Sequence, residues 1–471
     1  MAKKLKQEKD INKISEYKYG FNDGEMSNWI IPKGLNSEVV DILSKHKNEP
    51  EWMKKFRTKS LANFLAFSQP KFGPNLADID FQDIFYYTEP SNKIANSWDD
   101  VPENIKNTFN KLGLPQAEKE FLSGVNAQWD SVPIYEQMKQ ELTDQGVIFT
   151  DCDTALKKYP ELFSKYFSTL VSNNDNKYAA LNSAVWSGGT FIYVPKNTKL
   201  DRPLQAYFRI NYQQAGQFER TLIICDDDAE LHYIEGCTAP VYSKNNLHAA
   251  VVEIFVGKRS KVRYTTVQNW SDNVINLVTK RALVDDDGLM EWIDGNIGSK
   301  INMKYPSCIL KGKNSQGNTI SIAVAKKGVY QDAGAKMIHL GENSKSKIVS
   351  KSITLQGGTA NYRGFVKIGE NAIDSKARVE CDTLILDRQS HSDTIPKNVV
   401  LNNQSQIEHE ATVSKISDEQ LFYLQSRGLT QQQAQEIIVM GFIQPFTKEI
   451  PLEYAIELNQ LIKMDMEGSV G

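Results

Sequence analysis

From Thr190 to about Leu401 the apolar positions fall at strand spacing, and no convincing amphipathic helix interrupts them. Runs such as Thr190-Phe191-Ile192-Tyr193-Val194, Ala249 to Val256 and Thr319 to Val324 are rich in β-branched and aromatic residues. Short Gly/Asn/Asp/Ser turns separate them. One signature recurs: an apolar strand end, a glycine, then Ser-Lys and a new strand. It appears at Val256-Gly257…Ser260-Lys261, at Leu340-Gly341-Glu342-Asn343…Ser346-Lys347 and at Ile368-Gly369-Glu370-Asn371…Ser375-Lys376. Imperfect self-similarity of this kind points to a stacked solenoid, whose coils bury their apolar faces only against neighbouring coils. A parallel β-helix is therefore expected, with a large β-sandwich as the alternative.

On either side the periodicity changes to that of helices. Residues 1–30 read as a mobile lead-in. Ser37 caps a helix carrying Val39, Val40 and Leu43, and Trp52, Met53, Phe56, Leu61, Phe64 and Leu65 follow at helical spacing. Residues 69–100 read as loop. Helices are expected at 102–112, at 134–145 and after Asp153, through Leu156 to Leu170. After the strands, Ser417-Asp418-Glu419-Gln420 and Thr430-Gln431-Gln432-Gln433 read as capping boxes. Pro445 and Pro451 bracket a linker before a last helix at 452–464. The expected domains are 1–185, mostly helical; 186–410, the β-helix core; and 411–471, helical and suited to docking.

Composition adds exclusions. The 471 residues suffice for about three domain-sized pieces. A formal charge of −3 without a basic stripe gives no reason to expect nucleic acid. The first residues lack an apolar signal core and no stretch approaches a membrane span, so a cytoplasmic location is expected. The five cysteines (Cys152, Cys225, Cys237, Cys308, Cys381) are odd in number, dispersed and without a C-x-x-C pair. They read as thiols in a reducing compartment.

No Walker loop, G-x-S-x-G elbow or H-E-x-x-H helix is present. The clusters Asp226-Asp227-Asp228 and Asp285-Asp286-Asp287 suit a carbohydrate-acting β-helix in principle, but Asp is an ordinary turn residue between strands. Two stretches stand out. Cys237, in Glu235-Gly236-Cys237-Thr238-Ala239-Pro240, falls where a strand ends, so its thiol is expected to be more accessible than one in mid-strand. Cys381, followed later by Glu408-His409-Glu410, adds thiolate, imidazole and carboxylate, a mixed set suited to iron or zinc. On an extended segment Glu408 and Glu410 share one face and His409 takes the other, so the three cannot all converge on one metal from a single strand.

These stretches, with Phe208-Arg209-Ile210-Asn211, Gly216 to Thr221, Leu247 to Glu253, Thr266-Val267-Gln268-Asn269-Trp270 and Ser15-Glu16-Tyr17-Lys18-Tyr19-Gly20-Phe21 near the start, resemble the SufB members of the SufB/SufD family. These are Fe–S cluster assembly scaffolds of the SUF system. The resemblance implies a right-handed parallel β-helix between helical end domains, and a non-enzymatic scaffold in complex with SufD and the ATPase SufC, the latter on the C-terminal helices. It implies persulfide sulfur arriving from a cysteine desulfurase system at Cys237 and passing Arg209, Asn211, Gln268, Trp270 and Lys280. A transient Fe–S cluster then forms near the SufD interface on Cys381 with Glu408, His409 and Glu410. A reduced flavin accompanies some family complexes, although no flavin motif is legible here. Some relatives also carry an N-terminal cysteine cluster after the Tyr-Tyr segment; after Tyr86-Tyr87 this chain has none.

Overall fold

The computed structural model describes residues 29–89, 122–129, 131–210, 214–238 and 246–450, and six helical positions between 455 and 466. The lead-in, the helix expected at 102–112 and most of the last helix lie outside the described residues, as does Asn211.

From Gly189 to Lys415 the chain passes back and forth between two parallel sheets. One holds Gly189–Val194, Arg220–Cys225, Val251–Val256, Val274–Val284, Ile301–Lys304 with Ser307–Leu310, Tyr330–His339, Thr359–Ile368 and Thr394–Val400. The other holds Leu204–Arg209, Glu230–Thr238, Lys261–Trp270, Leu289–Gly298, Gln316–Ala325, Lys345–Thr354, Lys376–Ile385 and Gln406–Lys415. Every strand in these two sets pairs in parallel with the strand one coil on, as Lys261 does with Leu289 and Gln316 with Lys345. This is a parallel β-solenoid, and parallel pairing throughout excludes the sandwich.

The coil corners explain the sequence signature. Asn197, Asp228, Arg259, Asp287, Asn314, Asn343 and Asp374 recur coil after coil with φ between 50° and 60°. Asn and Asp tolerate this left-handed conformation best among residues with a side chain. They also stack: Asn343 donates to Asn314 at 2.6 Å and Asn314 to Asp287 at 2.9 Å. Glycine is required just before the turn, because a Cβ on Gly341 would lie 2.0 Å from the carbonyl oxygen of Gly312. The aspartate triplets belong to these corners. Asp227 pairs with Lys196, Asp228 with Arg259 and Asp286 with Lys258, which makes them turn residues. One detail of the repeat is corrected. Lys345, not Lys347, is in register with Lys376, so Ser344 is the equivalent of Ser375. Both serines are buried, with hydroxyls 2.9 Å apart.

Each sheet turns one face inward and the other toward a helical end. Met53, Leu156, Phe163 and Trp186 from the N-terminal helices pack on Phe191, Leu222 and Ile224. Val439, Ile443, Phe446, Leu458 and Ile462 pack on Ile293, Ile297, Ile322 and Leu384 of the other sheet. Burial on both faces is why the strands read as nearly continuous apolar runs.

Several local expectations change. The N-cap of Ser37–His46 is Asn36, which accepts from the Val39 N–H at 2.9 Å. The segment read as a helix over 134–145 is the strand Val132–Met138 and a short helix Gln140–Asp144. That strand and Gly124–Trp129 extend the second sheet beyond Leu204–Arg209, a tertiary contact that overrides local helical spacing. The region after Asp153 forms Cys152–Lys158 and Pro160–Tyr166, with Pro160 opening the second helix, and a further helix follows at Lys177–Val185. Ser417 caps Asp418–Ser426, while the reciprocal capping box is the one at Thr430 and Gln433. That helix continues to Thr447 with Pro445 inside it, so the linker expected from Pro445 starts only after Thr447. Among the described residues no helix is long and apolar enough to cross a membrane.

Candidate functional site

Cys237 sits in Glu230–Thr238 with its side chain turned into the solenoid. It is 1 % exposed, so the accessible thiol expected at this strand end is instead enclosed by the coils on either side. Its sulfur lies 3.8 Å from Glu235 Oε1, and the Glu235 carboxyl accepts from the Tyr264 hydroxyl. Burial pushes the thiol well above its ordinary value; Glu235 and Glu219 push the same way, while Lys280 and Lys304 oppose them. Glu235 is itself raised, first by burial.

Around these groups the interior is polar. Lys280 and Lys304 both donate to Asp294 Oδ1, at 3.2 and 3.0 Å, and Lys280 also reaches Thr266. Lys304 donates to Gln268 Oε1 at 3.1 Å, and Asn276 donates to the same oxygen at 2.9 Å. From Asn276 the network continues through Asn302 to Gln331, at 2.6 and 2.8 Å, and on its other side to His248, which is bonded to Glu219. The Trp270 ring lies against His248, with centroids 4.9 Å apart. Burial opposes charge on His248, but Glu219 and Asn276 raise it overall. Asp294 is likewise driven down by its two lysines against the effect of burial. Burial brings Lys304 down to about 8. Buried polar groups ordinarily find partners. Here Gln268 Nε2, Trp270 Nε1, Asp294 Oδ2 and both amide atoms of Gln217 find none among the described residues.

Strand register extends this interior toward the far end. Glu235 pairs with Thr266, Thr266 with Asp294, Asp294 with Ser321, Ser321 with Ser350, and Ser350 with Cys381. A neighbouring ladder runs Cys237, Gln268, Asn296, Ala323, Ser352, Thr383. All are buried, and the Ser321 and Ser350 hydroxyls are 3.1 Å apart. Five interstrand steps of roughly 4.8 Å place the two cysteine coils about 24 Å apart along one wall.

Cys381 lies one coil before the last strand, its sulfur 3.7 Å from His409 Nε2. Burial pushes its thiol up to about 12, opposed by the Tyr362 hydroxyl. His409 is shifted down by burial, which favours the neutral imidazole, and its Nδ1 has no partner among the described residues. Glu408 and Glu410 are exposed on the opposite face of Gln406–Lys415, the alternation expected of an extended segment. So Cys381 and His409 come together, and the two carboxylates do not join them. Among the described residues no three His, Cys, Asp or Glu side chains converge as a metal site.

Of the proposed path residues, Gln268, Trp270 and Lys280 lie in the interior network. Arg209 is fully buried, but it is in register with Thr238 and so alternates to the face opposite Phe208 and Cys237. Glu235, Asp294, Lys304 and Tyr362 were not singled out from the sequence. Their only signal is polar alternation within strands, as in Ile301-Asn302-Met303-Lys304, which normally marks a solvent face.

Comparison with known proteins agrees along most of the chain. Residues 35–206 match the SufBD protein N-terminal region, and residues 208–442 match the family described as SUF system FeS cluster assembly, SufBD core domain. An iron–sulfur cluster assembly SufBD family protein of Staphylococcus aureus (strain MRSA252) is 58% identical over 458 residues, 97% of this chain and 98% of the relative. One from Staphylococcus saprophyticus is equally similar over the same shares. The chain belongs to the SufBD family of the SUF system for Fe–S cluster assembly.

Proposed function

We propose that this chain is the SufB-type scaffold, accepting sulfur at Cys237 and presenting Cys381 and His409 to a nascent cluster. The observation that carries the reading is the pair of buried ladders joining the two cysteine coils along one interior wall. In the acceptance step the Cys237 thiolate attacks the outer sulfur of a donor persulfide. The donor's S–S bond breaks, Cys237 becomes a persulfide, and the donor leaves as a thiolate that takes up the proton Cys237 gave up. The two electrons that turn each transferred sulfur into sulfide come from outside the chain.

The cluster is cargo, and an incomplete ligand set suits its release. Cys381 supplies soft sulfur and His409 a neutral imidazole nitrogen. Further ligands would come from a sister subunit at the open end of the solenoid. Gln406–Lys415 and Thr394–Val400 end the two sheets, with Ile395, Val400, Leu401 and Val413 exposed. An unpaired sheet edge with exposed apolar residues is a template for another chain, and SufD fits that role. On the C-terminal helices Phe422, Tyr423 and Ile437 are exposed, which supports docking of SufC there.

Labelled sulfur offered by a desulfurase to the co-purified complex should appear on Cys237 and later on Cys381 by peptide mass spectrometry. With Cys381→Ala it should remain at Cys237. Label reaching Cys381 undiminished in Cys237→Ser would end this reading.

A further inference from the structure

Next to Cys237, two ammonium groups crowd onto one oxygen. Lys280 and Lys304 are at most 1 % exposed, and both donate to Asp294 Oδ1 while Oδ2 has no partner among the described residues. The remaining anionic group within reach of this cluster, Glu235, is pushed toward its neutral form by burial, and Glu219 is taken up by His248. Two cations thus face one committed carboxylate in a buried interior, where an uncompensated charge is expensive. The Gln268 side chain is oriented by the same lysine. Its oxygen accepts from Lys304 and Asn276, which turns Nε2 away as a donor with no acceptor among the described residues. Trp270 Nε1 is a second such donor. Gln268 is the register partner of Cys237, about one strand spacing away.

We propose that Lys280, Lys304 and the Gln268 amide form a binding site for a small, soft monovalent anion, and that in sulfur traffic its occupant is the terminal sulfur of a persulfide carried by Cys237. The second half rests on the sulfur-acceptor reading of Cys237; the anion site does not. A lysine suits the task because its ammonium is a compact point charge with donors that can turn between Asp294 and an arriving anion. A soft, weakly hydrated anion also loses less on entering such an interior than a strongly hydrated one. Lys304 is the decisive residue, since it touches both the carboxylate and the amide.

Sodium iodide, titrated into the full-length chain at constant ionic strength, tests the site through tryptophan fluorescence. Trp270 follows Gln268 by two residues on the same strand face, and the Trp292 ring is 5.8 Å from Lys280 Nζ. Quenching should show a saturable component, weakened by about tenfold in Lys304→Met, the loss of one charged hydrogen bond, and partly restored in Lys304→Arg. Purely linear quenching in the native chain, or equal affinity in Lys304→Met, overturns the proposal. Should Lys304→Met fail to fold, bromide-soaked crystals of the native chain decide. A bromide within hydrogen-bond reach of Lys304 Nζ supports the site, and bromide bound only elsewhere removes it. Cys237→Ser should leave iodide binding intact while ending sulfur transfer. Iodide binding with sulfur transfer undiminished would sink the Cys237 reading and leave the anion site standing.

Discussion

Cys237 and Cys381 share one interior wall but not one environment. Cys237 is enclosed among charges: Glu235 beside it, Lys280, Lys304 and Asp294 in the coils that follow, and the Glu219–His248 pair across the interior. Cys381 has a tyrosine hydroxyl and an imidazole near it, serines in the coils before it, and only one strand between it and the open end. Both thiols are raised by burial, yet different groups oppose the shift: two lysines at Cys237, a neutral hydroxyl at Cys381. On the proposed function, the difference separates two tasks that one thiol performs poorly. Accepting a sulfur requires an anion to be stabilised away from water. Releasing a cluster requires neutral, weakly held ligands near a surface where another chain can take over.

The sharpest way to break the comparison is Cys381→Ala. Losing an outer partner of a metal site costs roughly 10–100-fold, and losing a ligand should cost more. Anaerobic reconstitution with the partner subunits should therefore show cluster absorbance reduced by over about 100-fold, with the circular dichroism of the solenoid unchanged. Wild-type-like absorbance would move the cluster away from Cys381.

The charged end is tested next by Asp294→Asn, which leaves two buried ammonium groups without their shared carboxylate. Breaking a buried pair this way costs on the order of 3–5 kcal/mol, which denaturant unfolding should register. Loss of no more than about 0.5 kcal/mol, the usual range for a surface change, would mean the lysines are not charged together.

A smaller effect isolates Lys304 itself. Its folded-state value is depressed to about 8 from an ordinary 10.5. Between those values the unfolded chain binds more protons than the folded one, so stability rises with pH across that window. The melting temperature of the native chain, minus that of Lys304→Met, should climb from pH 8 to about pH 10. A flat difference would mean that Lys304 titrates normally.

Smallest of all should be Glu408→Gln and Glu410→Gln, since both carboxylates are exposed and face away from Cys381. In the isolated chain, iron binding should change by less than about threefold, in keeping with the modest worth of exposed charges. A large loss confined to the complex with a sister subunit would assign them to the interface instead.

Much of this is legible in the amino-acid sequence. Strand composition and the Gly/Asn/Asp corners announced a solenoid, because each coil must repeat the same left-handed turn and the same close backbone approach. The alternation of Glu408, His409 and Glu410 followed from extended geometry alone. The family emerged from separated motifs in order. What could not be read was which alternate face of each strand points inward. Lys304 and Asp294 look like solvent-facing residues in a period-of-two pattern, and only stacking of coils turns them toward Cys237. The strand at Val132–Met138 is similar, since helical spacing lost to an open sheet edge that needed a partner. The sequence thus determined the coil, its corners and its thiols, all consequences of local geometry and residue chemistry. The tertiary structure alone decided which polar groups share the buried interior, because register between distant coils sets who faces whom and no local pattern records it.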